Sequence, residues 1–538
     1  VRGGERHNGG AKIPELSPWS SPLGRSMSAL LSALLPPPPA AAGKATKNGS
    51  TTFKKSLAAP MHLASRGAQR GALRISTTMM AKGKPMADPE TANFMSWAEE
   101  VGIQYKSIAL ADFGGVRGVV AEAQIGSGAR LVSVPSEYAL RVTPTLKCPC
   151  PELVDPAFFS KAAWYVKMGI MLVWHKRQGA SSKLAPWISS LPKKYDTPLS
   201  WSGEQISQLQ YPFLEAEVKR QQKEWAAIYS DLITACPNCG ITSEELMWGM
   251  SACRSRTFSG PYAGSTFKDR LQLVAILAVC VGGYTVAGMG EVTQALNGAV
   301  AALVFNVLYD VLLSKKQRWY AMCPLIDMIN HKGTSGSEVS YAYFQDEFDI
   351  TVDVATTAGE EVFITYGNRG NDELLQYYGF VEERAPADTY AVLDIVKKLR
   401  AYGADVSDGN VEVLRKAGFM KDLEQARATP AGFTRESLRA LRFITAGDGL
   451  GEEGIDECDG PVSAEGELAL WEALAKICRG EMEGKPSISQ DLGSLKNTGI
   501  ISEEKSMAIR FRCEKKRILE DCAAQLDAQT VALRAACS

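Results

Sequence analysis

An α+β architecture follows from three observations. Apolar alternation with glycine turns marks an N-terminal stretch, helical spacing marks two insertions, and alternation returns near residue 340 before a helical C-terminal third. At 538 residues the chain is too long for one compact core and suits two or three domains with a tail. The first strands are expected over residues 108–134, after a folded start near Asn93 and Trp97. Over 158–191 and 206–250 the apolar spacing shifts to three and four, which predicts helices with Trp164, Met168 and Leu172 on one face. Residues 339–344 and 348–354 read as a hairpin about Gln345-Asp346-Glu347, followed by a strand over 361–366. Beyond Arg384, Leu470, Leu474 and Ile477 share one helical face and Phe511, Ile518 and Cys522 another, with an acidic glycine-rich loop at 448–460 between them. The predicted division is a leader over 1–90, a β-rich domain over 91–383 and an all-α domain over 384–538. Within the β-rich domain sit a helical insertion at about 150–250 and a hydrophobic hairpin at about 268–318.

Composition narrows the chemistry. A formal charge of −1, from 59 basic and 60 acidic residues, gives no long-range attraction to nucleic acid. Four histidines, His7, His62, His175 and His331, are too few for a histidine-rich metal centre. The twelve cysteines lack a short-spaced framework and are expected as free thiols; Cys148-Pro-Cys150 and Cys236-Pro-Asn-Cys239 have zinc-like spacing within a pair, but the pairs lie far apart, so no metal is expected. Residues 27–86 contain no Asp or Glu and are rich in Ser, Ala, Lys and Arg, the composition of an organelle transit peptide.

The segments 271–290 and 292–309 are apolar, divided by the single charge of Glu291, and each is long enough to cross a bilayer. Their glycines and the scattered Gln272, Thr293, Gln294, Asn297 and Asn306 favour a buried or self-packed helical hairpin; membrane association through 271–309 is the alternative.

Four motifs carry the chemistry: Arg254-Ser255-Arg256-Thr257-Phe258; Cys323-Pro324-Leu325-Ile326-Asp327-Met328-Ile329-Asn330-His331; Ile364-Thr365-Tyr366-Gly367; and Asn371-Asp372-Glu373-Leu374-Leu375-Gln376-Tyr377-Tyr378-Gly379-Phe380-Val381. In this order, after an opening Gly115-Val116-Arg117-Gly118 turn, they closely resemble the SET-domain protein methyltransferases of the plastid Rubisco large-subunit methyltransferase kind. That resemblance spans most of residues 95–538 and is weakest across the apolar hairpin and the loop near Gly460. It implies a pseudoknotted β-fold and a C-terminal substrate-binding domain, which includes Ile509-Arg510-Phe511-Arg512-Cys513. It also implies S-adenosylmethionine as cofactor, held by Arg256, Asn330, His331, Val116 and Arg117. Tyr366 would be the catalytic tyrosine, with Tyr378, Phe380 and Phe258 lining the substrate channel and Asp327 supporting its segment. The sequence departs from the family at Lys332, Ala129 and Gly115, positions near its cofactor contacts.

The reaction suits such residues. A neutral nitrogen must meet a sulfonium-borne methyl in line with water excluded, and an aromatic channel favours the neutral amine by desolvation. The resemblance implies methylation of lysine on a plastid protein, with Rubisco large subunit and plastid aldolase as family-level expectations, by a monomer in the stroma or at a membrane. Histidine methylation of an actin-like protein and an inactive binding module are the alternatives.

Overall fold

The computed structural model describes residues 83–261, 267–287, 291–309, 318–496 and 501–537. The leader read as a transit peptide lies outside the described residues up to position 82. Regular structure begins earlier than Asn93: strand Lys84–Pro85 pairs with Asp112 and Ala111. It leads into helix Pro89–Glu100, started by a proline in its first turn and by the Asp88 carboxylate accepting from the Thr91 amide.

Three small sheets build the part of the chain before the fourth motif. The first orders Lys84–Pro85, Ile108–Asp112, Arg117–Ala121, Glu361–Ile364 and Asn330–His331. Glu361–Ile364 lies between two distant partners, antiparallel to Arg117–Ala121 and parallel to Asn330–His331 with Phe363 opposite Asn330. The second sheet orders Val339–Ala342, Glu347–Thr351, Arg130–Pro135 and Gln104–Tyr105. Its expected hairpin is present, but the turn falls at 343–346, where Asp346 takes φ 51° and accepts from the Tyr341 hydroxyl at 2.6 Å. The third orders Leu140–Val142, Arg318–Met322 and Phe258–Pro261. Helices Trp164–Gln178, Pro212–Ala235 and Ser243–Arg256 form the insertion. Gly169 and Gly249 meet where the first and last of these cross: a Cβ on Gly249 would sit 2.6 Å from the Gly169 carbonyl oxygen. Met168 and Leu172 are buried as their spacing predicts, whereas Trp164 is half-buried and stacks on Tyr320 at 4.5 Å.

The C-terminal domain is not all-α. Tyr390–Val392, Ala426–Thr429 and Gly432–Phe433 form a three-stranded sheet inside it. Ala426 and Ala428 are the buried positions of the middle strand, so its alternation is carried by a residue that ranks as a helix former and the periodicity is masked. Its core also recruits Trp201, Ile206, Leu209, Tyr211, Leu214 and Val218 from the insertion and Leu375 from the fourth motif, so two regions far apart in sequence share one interior.

The apolar segments form helices Phe267–Val286 and Val292–Tyr309, which pack on each other. The hairpin is self-packed, not buried: Val279 is 75% and Val286 90% exposed. Among the described residues no helix is long and apolar enough to cross a membrane.

Candidate active site

Arg256 ends helix Ser243–Arg256, whose start is fixed by a capping box between Thr242 and Glu245. The chain leaves directly into strand Phe258–Pro261, so Arg256 and Phe258 are delivered from one helix-to-strand corner. One Arg256 nitrogen, Nη1, donates to the Asp327 carbonyl at 2.8 Å and lies 3.3 Å from the Asp327 carboxylate. The Asp327 side chain is wholly buried and accepts from Trp187 Nε1 at 3.3 Å. Burial pushes the Asp327 carboxyl upward, while the guanidiniums of Arg256 and Arg117 pull against that shift. Arg256 Nε is buried beside the neutral Tyr195 hydroxyl.

The Asn330 amide nitrogen donates to the Arg117 carbonyl at 2.9 Å and to Glu361 Oε1 at 2.8 Å. A Cβ on Gly118 would lie 2.5 Å from that Glu361 oxygen and 2.8 Å from the Asn330 nitrogen, so only glycine leaves room for the bond. Next to Asn330, the His331 ring stacks on Tyr366 at 5.0 Å, and its Nδ1 accepts from the Tyr366 amide at 3.0 Å. A backbone N–H can only donate, so the ring proton resides on Nε2, which faces Glu382 at 3.5 Å. Burial pushes the Glu382 carboxyl up, but His331 and the Gly333 amide outweigh it and hold the carboxyl below its ordinary range.

Tyr366 is thus fixed at both ends. Its hydroxyl donates to the Ile329 carbonyl at 2.9 Å, and its own carbonyl accepts from Arg369 Nε at 2.9 Å. Burial pushes the phenol well above its ordinary value, so the hydroxyl is a neutral donor and acceptor and not a phenolate base. Tyr378 stacks on Tyr366 at 5.0 Å, and Phe258 meets Tyr366 edge-on at 6.4 Å. Phe380 closes the ring of aromatics, 6.3 Å from Tyr378 and 6.1 Å from His331. Tyr378 ends a π-helical turn, Leu374–Tyr378, stopped by Gly379 at φ 77°. A Cβ there would meet the Asp196 carbonyl oxygen at 2.4 Å, so glycine is needed twice over.

Arg256, Phe258, Asp327, Tyr366, Arg369 and Tyr378 line one cavity of about 240 Å³, together with Ser259 and Arg318 at its rim. His331 and Phe380 stand behind its aromatic wall. Arg117 is not part of the cavity lining; its Nη1 donates to the Ser190 carbonyl at 2.7 Å, and its charge acts on Asp327 through space. Val116 does not join them: it is 58% exposed beside the Gly115 turn. Trp187, Glu361, Glu382, Arg369 and Tyr195, whose buried hydroxyl lies beside Arg256, were not singled out by sequence. Trp187 lies 140 residues from Asp327, and no short-range pattern marks such a pairing.

The cysteines are free thiols. Among the described residues no three candidate metal ligands cluster.

Comparison with known proteins gives the relatives of the chain. Residues 411–519 match the family "Rubisco LSMT substrate-binding". The chain is 22% identical over 460 residues to the chloroplastic [fructose-bisphosphate aldolase]-lysine N-methyltransferase of Arabidopsis thaliana, covering 80% of this chain and 81% of that one. It is 24% identical to the actin-histidine N-methyltransferase of Callithrix jacchus, over 80% of this chain and 67% of that one. Among solved structures, Rubisco LSMT bound to AdoMet aligns with TM-score 0.55 at 18% identity, covering 83% of this chain and 93% of that chain. The SET domain of LSMT bound to lysine and AdoHcy gives the same TM-score of 0.55. The chain is a homologue of the chloroplastic aldolase-lysine methyltransferase, carries a Rubisco LSMT substrate-binding domain, and is built on the fold of the Rubisco LSMT SET-domain structures.

Proposed function

We infer that the protein is an S-adenosylmethionine-dependent protein methyltransferase whose acceptor is a lysine side chain of a non-histone plastid protein. The observation that carries this reading is the single cavity lined by Arg256, Phe258, Tyr366 and Tyr378, with Asp327 buried at its base.

The residues fit the cofactor. Asp327 pairs with Arg256 alone, Arg117 adds a second positive charge nearby, and Arg256 Nε is buried beside the neutral Tyr195 hydroxyl. That excess of positive charge and donors suits a carboxylate such as the cofactor's. Arg256 and Arg117 would hold this group, and the Asn330-His331 strand would offer backbone groups to the rest of it. Bound there, the cofactor supplies a sulfonium-borne methyl group.

The chain's own residues prepare the acceptor. The rings of Phe258, Tyr366 and Tyr378 exclude water, which favours the amine in its neutral, nucleophilic form and tolerates a methylated cation afterwards. With its proton directed at the Ile329 carbonyl, the Tyr366 oxygen keeps lone pairs free to accept an N–H from the amine and aim its own lone pair. No dedicated base is needed, because desolvation displaces the proton before transfer.

The relatives include both lysine and histidine methyltransferases. One experiment separates these: incubate the full chain with methyl-labelled cofactor and plastid protein, then map the modified residue. Label on lysine is expected. Label on histidine overturns the acceptor assignment, and absence of both transfer and cofactor-binding heat overturns the enzyme reading in favour of a binding module.

A further inference from the structure

The apolar hairpin is an outgrowth of the site. It joins strands Phe258–Pro261 and Arg318–Met322, which pair as Ser259 opposite Tyr320 and Pro261 opposite Arg318. Ser259 and Arg318, at the root of the hairpin, are also rim residues of the cavity that contains Tyr366. Between Leu271 and Tyr309 the sequence carries one charge, Glu291. The exposed apolar residues do not make one stripe. At about 100° per residue, Leu271, Val274, Ile276 and Val279 spread over more than half of one helix, and Val292, Val300, Phe305 and Leu308 over more than half of the other. A helix apolar on all sides belongs inside protein or inside lipid. Docking to a second copy would cover one face of each helix and leave the rest in water.

A second observation lies beside the root. Trp319 on the returning strand is 6.4 Å from Tyr341, and Tyr341 is 6.5 Å from Tyr343, which touches Phe344 at 5.6 Å. Tyr343 and Phe344 are exposed, on the tip of a neighbouring hairpin. Exposed aromatics at the base of an apolar projection occupy the level of a membrane–water interface. The uncharged part of the first helix, from Leu271 to Val286, rises about 24 Å, less than the ~30 Å hydrocarbon core. Both ends return to one sheet.

We propose that the apolar faces of the two helices, from Leu271 to Val286 and from Val292 to Tyr309, insert into one side of a bilayer, with Tyr343 and Phe344 at the headgroup level, so that the Tyr366 cavity opens toward the membrane surface and its acceptors are side chains of membrane-held proteins. The part concerning acceptors rests on the methyltransferase reading; the part concerning insertion does not.

The test uses the full chain in flotation with vesicles of phosphatidylcholine containing phosphatidylserine. Wild type is expected to float with the vesicles. The double variant Val279→Asp, Val300→Asp, altered only at exposed positions and checked for an unchanged unfolding transition, is expected to lose at least ~tenfold in bound fraction. Wild type left at the bottom of the gradient overturns insertion. So does a wild-type dimer, formed without lipid and abolished in the variant, because the occupant is then a second copy. Labelled transfer to membrane-fraction proteins should fall with the variant while transfer to detergent-solubilised proteins is kept; equal transfer to both overturns the acceptor class. If wild type floats but transfers no label to either fraction, insertion stands and the methyltransferase reading fails.

Discussion

Two buried ionic clusters in this molecule have opposite charge balance. At the cavity, one carboxylate, Asp327, pairs with Arg256 and lies in the field of a second guanidinium, Arg117, while Arg256 Nε has only the neutral Tyr195 hydroxyl as a neighbour. In the C-terminal half, Lys515 is 2% exposed and bonds Asp388 at 2.6 Å, Asp372 at 2.8 Å and the Thr389 carbonyl at 2.7 Å, while Arg427 reaches Asp372 at 3.2 Å. Two cations there meet two anions. Burial works against the Lys515 ammonium, but Asp372 and Asp388 outweigh it and hold its pKa above the ordinary lysine value. The balanced cluster fastens helix Glu503–Cys537 to the segment after the fourth motif, and the unbalanced one is fitted to receive an anion. Buried charge is tolerated when paired, so surplus charge beside a cavity points to a ligand.

The largest expected effect breaks the balanced cluster. Lys515→Met leaves Asp388 buried without a cation and Asp372 with Arg427 alone, and should cost about 3–5 kcal/mol in urea unfolding. A loss under about 1 kcal/mol would show that this cluster is not a clamp.

Tyr366→Phe probes the wall beside the unbalanced cluster. It removes the hydroxyl that bonds Ile329 and should lower kcat ~10²–10³-fold, about 3–4 kcal/mol, with cofactor affinity within about twofold by calorimetry. Parallel loss of cofactor affinity would assign Tyr366 to the anion receptor instead.

Arg256→Lys keeps one positive charge but removes the planar fork. Cofactor affinity should weaken about 10–100-fold, or about 1.4–2.7 kcal/mol, with the unfolding midpoint barely moved. Unchanged affinity would mean that the surplus charge at Asp327 serves packing.

The smallest effect comes from a half-buried group with no counter-ion. His175 is held down to about 4 by burial and by the neighbouring Lys183. Its folded pKa lies below the unfolded value near 6.5, so the unfolded chain binds more protons in between. This contribution to stability is complete above about pH 6.5 and is lost as pH falls toward 4. His175→Gln should flatten the unfolding midpoint between those values, and an unaltered slope would place the histidine in contact with water.

Local chemistry was legible in the sequence where it repeats at short range. Helix periodicity located the insertion, and the Gln345-Asp346-Glu347 turn located the hairpin to within a residue or two. The four motifs named Arg256, Phe258, Tyr366 and Tyr378, which the fold brings to one cavity. The same reasoning placed Val116 beside them, and the structure leaves it in solvent because the Gly115 turn carries it past the end of the strand. It also read Ala426–Thr429 as helical, since alanine gives no alternation to see.

What the sequence determined by itself was the order of elements and the identity of the reactive side chains, because propensity, periodicity and motif spacing act over a few residues. Only the tertiary structure decided that Asp327 pairs with Arg256, that Trp201, Ile206, Leu209, Tyr211, Leu214 and Val218 belong to the C-terminal core, and that the apolar hairpin faces outward from the rim of the cavity. Each of those depends on charges or surfaces brought together across tens to hundreds of positions. An apolar run has the same pattern whether protein, lipid or water surrounds it.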